Sequence, residues 1–307
     1  MGELSNIFTV EMLFATLRMA IPIALAAIGG TICERSGVVN LGLEGMMLMG
    51  AFGGVLGSHL TGNPWLGVLL AVIISGLMGL LHAVLCITFR TNQTVSGVGI
   101  NILALGLTAV LTRTVWGSEG LSGFVERLPT ITVPGLSAIP GVGRFFTDQS
   151  PFLYLSIAIT ALAWFVFYKT KVGLRLRSIG DHPQAAATVG INVKKYRYTA
   201  VVISGMLCGL AGAYLSIVLN NLFVTGMTAG RGFMALAANI FGGWNPLGSA
   251  LASLLFAFAQ ALRINLRLDI PDQFIQMLPY ILTLLVLVAV ARRAKAPQAM
   301  GRMEDED

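Results

Sequence analysis

Long apolar runs separated by short polar breaks dominate the chain. Residues 12–33, 64–89, 93–116, 151–168, 198–219, 246–263 and 273–291 each approach the length of a membrane crossing, since a hydrocarbon core of about 30 Å takes about 20 apolar helical residues. Two further stretches, 41–60 and 228–243, are apolar but interrupted by glycines and by a charge, Glu44 in the first and Arg231 in the second. They read as membrane segments that are broken or re-entrant. The pattern predicts an all-α integral membrane protein, a polytopic bundle of about nine transmembrane segments (roughly 8–10). Gly53 with Gly57, and Gly205 with Gly209, are GxxxG pairs of the kind that let membrane helices approach closely.

The one long polar interruption with dense charge runs from Lys169 to Arg197. Seven basic residues there face a single acid, Asp181. Within it the spacing predicts a short capped helix over 182–190: Asp181 as N-cap, Pro183 in the first turn, Gln184 completing a capping box, and Gly190 as the stop. A small stiff helix held outside the membrane by basic arms suits docking to another protein. The bias of Lys and Arg toward the cytoplasm puts the 170–197 loop and the 292–307 tail inside. It puts 117–150, with Arg127 and Arg144 against Glu119, Glu126 and Asp148, outside. Alternate crossings then place the N-terminus outside and Arg35 and Arg90 inside.

Composition sharpens this picture. The chain is 55% hydrophobic and 11% charged, against about a quarter charged in soluble proteins. The net charge of +6 is no sign of nucleic acid, because the basic residues gather on one side of the expected membrane. Cys33, Cys86 and Cys208 lie in apolar segments without motif spacing, as small buried hydrophobes do. There is no GxxxxGK[ST] loop, no HExxH, and no nucleophile beside a base, so nothing in the chain argues for an enzyme or for ATP hydrolysis by the chain itself.

Two stretches carry a resemblance. Glu34-Arg-Ser-Gly-Val-Val-Asn-Leu-Gly-Leu-Glu-Gly-Met-Met (34–47) and Asn239-Ile-Phe-Gly-Gly-Trp-Asn-Pro-Leu-Gly (239–248) closely resemble motifs of permease subunits in bacterial ABC importers for nucleosides and simple sugars, the nucleoside branch most of all. Segment 94–106 fits as well. Gln184-Ala185-Ala186, followed by Gly190, is similar to the EAA-x-x-x-G coupling motif of ABC permeases, with Gln for Glu and without the downstream Leu-Pro. The resemblance implies one transmembrane permease domain over 1–307, with the fold of ribose and branched-chain amino acid permeases, in the bacterial inner membrane. It also implies partners: a second permease subunit, a cytoplasmic ABC ATPase carrying the ATP and Mg, and an external substrate-binding lipoprotein. No cofactor or metal is expected on this chain.

The residues expected to touch the ATPase are Asp181, Pro183, Gln184, Ala185, Ala186 and Gly190. Candidates for the substrate pathway are Asn40, Glu44, Asn101, Asn220 and Asn239. Amides offer donors and acceptors to ribose hydroxyls and purine edges, and an ionisable group at membrane depth is a functional hypothesis by default. The structural alternatives are interhelical hydrogen bonds for the asparagines, and for Glu44 a pairing with Glu34 and Arg35 that pins a broken helix. Trp116, Phe223 and Trp244 stand at segment ends, where aromatic belts are expected, and Arg231 is a candidate for the outer mouth. Importer, simple-sugar permease and ion-coupled secondary transporter are the competing functions; the last would want an intramembrane charge relay, for which Glu44 is the sole deep acid.

Overall fold

The computed structural model describes residues 10–132, 147–265 and 296–301. The expected span 273–291, the middle of the 117–150 segment and the acidic end of the tail lie outside the described residues. Ten α-helices follow one another: α1 Val10–Glu34, α2 Leu43–Thr61, α3 Pro64–Ala83, α4 Gln93–Trp116, α5 Pro151–Lys169, α6 Lys171–Asp181, α7 Pro183–Thr188, α8 Val193–Ala213, α9 Arg231–Phe241 and α10 Pro246–Asn265. π-helical turns extend α3 through Val84–Thr88 and α8 through Tyr214–Asn220. Among the described residues there are no strands, only isolated bridges that pair Leu121 with Val224 and Ile131 with Gln149.

The helix starts follow from local chemistry. Asn63 and Ser150 each precede a proline and accept a hydrogen bond from the amide two residues on, at 2.9 Å from Trp65 and 3.3 Å from Phe152. Asn92, Thr170 and Asn192 cap α4, α6 and α8 in the same way. Among the described residues five helices are long and apolar enough to cross a membrane: Glu11–Glu34, Pro64–Thr88, Gln93–Trp116, Pro151–Lys169 and Val193–Asn220.

α1, α2, α3 and α8 form the centre, with α9 and α10 packed against α1 and with α4 and α5 at the periphery. Small residues set the close spacing. A Cβ on Gly50 would lie 2.6 Å from the Cα of Gly209, and one on Gly205 would lie 2.5 Å from the Ser75 carbonyl. Ser75 uses that approach, donating its hydroxyl toward the carbonyls of Met46 and Gly205 across three helices. The GxxxG glycines of α2 and α8 are thus the contact surface against α3. By contrast, Leu162 on α5 and Ile102 on α4 are 62% and 68% exposed, as lipid-facing side chains are.

The stretch 41–60 is one helix, most of it buried. The stretch 228–243 is the broken one. From Val224 the chain descends through successive turns to Gly230, and only then does α9 begin. Eleven residues of helix rise about 16 Å, half the thickness of a bilayer core.

Candidate functional site

The two motif stretches meet at one end of the bundle. Glu34, at the end of α1, is 2% exposed, and its Oε2 accepts from Asn239 Nδ2 at 2.6 Å and from Trp244 Nε1 at 2.5 Å. Thr31 Oγ1 lies 2.7 Å from Asn239 Oδ1 and 2.9 Å from Ser249 Oγ, and all three residues are fully buried. Arg35 donates from Nε to the Trp244 carbonyl at 2.8 Å and from Nη2 to that of Gly243 at 3.2 Å. Burial pulls its guanidinium below the ordinary value, and the two carbonyls hold it in place. Gly243 and Trp244 both have positive φ, 64° and 54°. That conformation is uncommon for a tryptophan, and the bonds from Glu34 and Arg35 hold it.

The rest of the first motif is equally committed. Asn40, fully buried, accepts from the Gly42 amide at 3.0 Å and donates to Ser204 Oγ at 3.1 Å. Val39 is held by Gln93 through its amide and by His82 through its carbonyl. Asn101 accepts from the Gly45 amide at 2.7 Å and donates to the Leu41 carbonyl at 2.9 Å, clamping the start of α2 against α4. Glu44 does not pair with Glu34 or Arg35 as the sequence suggested. Its two carboxylate oxygens accept from the Gly230 and Gly232 amides at 2.8 and 2.6 Å. It therefore caps the mid-bundle N-terminus of α9 from a neighbouring helix, where orphan amides and the helix dipole favour a carboxylate. A Cβ on Gly232 would lie 2.5 Å from the Glu44 backbone, so only glycine allows the approach.

Of the five pathway candidates, Asn40, Glu44, Asn101 and Asn239 are all engaged in bonds that join helices or fix turns. Asn220 sits apart from them, exposed, and donates to the Leu215 carbonyl at 3.1 Å. One further expectation is corrected. Phe223 and Trp244 are buried within the chain rather than lying in a lipid-facing belt, with Phe223 edge-on to Phe52. Arg231 Nη1 donates back to the carbonyls of Met227 and Thr228 and stabilises the turns before α9.

The polar stretch 169–197 differs from its predicted form. Asp181 does not cap α7; it closes α6, an eleven-residue amphipathic helix where the sequence predicts loop. Pro183 is the cause. It pushes His182 to φ −142°, ψ 83°, because the residue before a proline is driven out of helical geometry. His182 stands at the start of α7 without a side-chain cap, and no capping box forms. Gly190 does end the helix, at φ +81°. Ala186 is 3% exposed and packs beside Ile179 and Val193, so it faces its own chain; Gln184, Ala185, Ala187 and Thr188 face outward.

The 170–197 loop bears directly on the motif joint. Arg197 Nε donates to the Ser36 carbonyl at 3.2 Å. Gly180 lies so close to Arg35 that a Cβ would sit 2.2 Å from its carbonyl oxygen. The 296–301 segment closes over both, with the Ala299 amide on the Gly180 carbonyl and the Gly301 amide on that of Gly37. Thr31, Ser36, Gly180, Arg197 and Ser249 are not among the residues expected from sequence; Gly180 and Arg197 carry a signal, flanking α7 inside the basic stretch. At the opposite end, a cavity of about 290 Å³ lies between α1, α5 and the π-turn of α8, lined by Arg18, Arg127, Asp148, Gln149 and Tyr214 among others. Among the described residues no group of His, Cys, Asp and Glu is placed to hold a metal ion.

Several apolar crossings, a half-length helix capped in mid-bundle and a loop outside the bundle braced against the first motif define a multi-pass membrane transport subunit. The chain belongs to the family of permease components of branched-chain amino acid transport systems, whose model matches residues 12–291. It is similar to the guanosine ABC transporter permease protein NupQ of Bacillus subtilis (strain 168), 45% identical over 94% of each chain. The nucleoside ABC transporter permease protein NupC of Lactococcus lactis subsp. cremoris is 41% identical over 91% of this chain and 92% of that one. A putative glucose ABC transporter permease, TsgC13 of Haloferax volcanii, is 38% identical over 84% of this chain and 78% of its own.

Proposed function

We propose that the chain is the translocation subunit of an ATP-driven importer of purine nucleosides, docked through α6 and α7 to a separate ATPase. The observation that carries the coupling is the joint: α7 offers an outward face, and the residues on either side of it, Gly180 and Arg197, press on Arg35 and Ser36. A displacement of α7 is passed to Arg35, from there to the Gly243–Trp244 turn, and so to α9 and its attachment at Glu44. ATP and Mg belong to the partner ATPase, and an external binding lipoprotein selects the substrate. The relatives named for guanosine and for nucleosides support the substrate class. A more distant Bacillus subtilis relative, the guanosine ABC transporter permease protein NupP, is 27% identical over 91% of this chain, which supports a pair of non-identical permeases. In this reading the membrane is the bacterial inner membrane, with α6, α7 and the 296–301 segment on the cytoplasmic side and residues 117–132 outside.

The likeness to a putative glucose permease favours a second reading, a simple-sugar importer. Uptake of labelled guanosine by the reconstituted complex separates the two. Competition by adenosine or inosine but not by ribose or glucose is expected. Competition by the sugars alone would overturn the nucleoside reading.

A further inference from the structure

A groove of about 680 Å³ opens on the outside of the bundle between α5, α6 and α8, within the size range of ligand clefts. Its walls are apolar, from Leu162, Val166, Leu176, Ile203 and Leu207 among others. α5 contributes the stretch from Ile159 to Phe167, about 12 Å of helix, close to the depth of one leaflet. The groove is not apolar to its end. Where α5 gives way to α6 it is lined by Arg175, Lys195, Asn192 and Tyr196, with Arg175 Nη1 donating to the Tyr196 hydroxyl at 3.3 Å. Lys169, Lys171 and Lys194 stand nearby in sequence, and Asp181 is the only acid from 169 to 197.

An apolar trough one leaflet deep, closed by two cations and hydrogen-bonding groups at the membrane boundary, has the chemistry of an anionic phospholipid. The geometry points to a structural lipid site: the phosphate of one anionic phospholipid sits between Arg175 and Lys195, and an acyl chain lies along α5 against Leu162 and Val166. Basic pockets between membrane helices on the cytoplasmic side recognise headgroups of this kind. The groove wall continues into Val189, Gly190 and Ile191, the exit of α7, so the lipid braces the docking helix from the membrane side. The inference rests on α5 and α8 crossing the bilayer, and it does not depend on the transported substrate.

Native mass spectrometry of the complete transporter tests it. The complex is delipidated in detergent and titrated with phosphatidylglycerol or with phosphatidylcholine of the same acyl chains. Phosphatidylglycerol should be retained preferentially at one site per copy of this permease. Arg175→Gln and Lys195→Gln should each weaken that retention by about fivefold. Thr199→Trp, which fills the groove and leaves both charges, should abolish it in an assembled complex. Equal retention of both lipids, or undiminished retention in all three variants, would overturn the proposal. So would release of the lipid by millimolar inorganic phosphate, which would mark a simple anion site. A photocrosslink to the second permease from a benzophenone maleimide on Ile203→Cys, in a background lacking the native three cysteines, would also overturn it, by showing the groove to be a subunit interface. Uptake of guanosine in the same preparations is read separately, so failure of the lipid site and failure of the nucleoside reading remain distinct.

Discussion

Replacing Gly232 with alanine should detach α9 from α2. The added Cβ would lie 2.5 Å from both the Cα and the N of Glu44, and backbone atoms cannot swing aside as a long side chain can. The start of α9 must therefore retreat, and the bonds from the Gly230 and Gly232 amides to Glu44, 2.8 and 2.6 Å long, stretch or break. Hydrogen bonds to a charged group contribute about 1.5–3 kcal/mol each in water-soluble proteins, whereas bonds between membrane helices average about 0.6 kcal/mol. A carboxylate at a helix N-terminus inside the bundle falls between these two figures, at about 1–2 kcal/mol per bond, so the pair is worth about 2–4 kcal/mol. At about 2 °C per kcal/mol for a large domain, the midpoint of thermal unfolding should fall by roughly 4–8 °C.

The protein carries its own reporter, because Cys33, Cys86 and Cys208 are free and buried and react with a maleimide dye only as the bundle opens. Glu44→Gln provides the control. An amide oxygen can still accept one of the two N–H groups, but its NH2 confronts the other, so about half of the loss is expected. The double variant should be little worse than Gly232→Ala alone, since both act on one contact. If Gly232→Ala melts with the wild type, or if the two losses simply add, the Glu44–α9 contact does not hold the broken helix.

Further outcomes follow from the joint and the loop. Asn239→Leu removes one of the two side-chain donors seen on the buried Glu34 and should cost about 1–3 kcal/mol; in the reconstituted transporter it should slow uptake without changing which nucleosides compete. Ala185→Arg, on the outward face of α7, should abolish substrate-stimulated ATP hydrolysis while the melting midpoint stays put. Ala186→Arg should lower the midpoint because it drives a charge among Ile179 and Val193, and equal melting of the two variants would misplace the docking face. Cysteines at Phe124 and at Thr188, in a background lacking the native three, should label from opposite sides of the membrane; labelling from one side would refute the orientation.

What was legible in the sequence follows from the range of the forces involved. Apolar length and local caps are short-range, and helices starting after Asn63-Pro64 and Ser150-Pro151 could be read directly. The α6 helix was legible too, in the spacing of Leu176, Ile179 and Gly180 on one face, but dense charge disguised it as loop. Asp181 was misassigned because an N-cap preference says nothing about whether the residue already ends another helix. The joint could not be read from spacing at all: Glu34 and Asn239 are 205 residues apart, and only the tertiary fold shows that one motif completes the other. Likewise Glu44 was recognised as unusual, but its partners are backbone amides, which no side-chain pattern reveals.

The fate of the asparagines bears on where selectivity resides. A bound nucleoside needs donors and acceptors, and Asn40, Asn101 and Asn239 each already use the amide oxygen and at least one N–H on the protein. Turning one of these side chains toward substrate would mean breaking a buried bond and leaving its partner unsatisfied, at about 1–3 kcal/mol, before any contact with the substrate is made. Their bonds therefore favour a structural role for these residues. Asn101→Leu checks the point, since it leaves the Gly45 amide without its 2.7 Å partner and should loosen the start of α2. The expected result is a lower melting midpoint and a lower maximal uptake rate, with the ratio of guanosine to adenosine uptake unchanged. A shift in that ratio at an unchanged midpoint would make Asn101 a substrate contact and return selectivity to the membrane bundle.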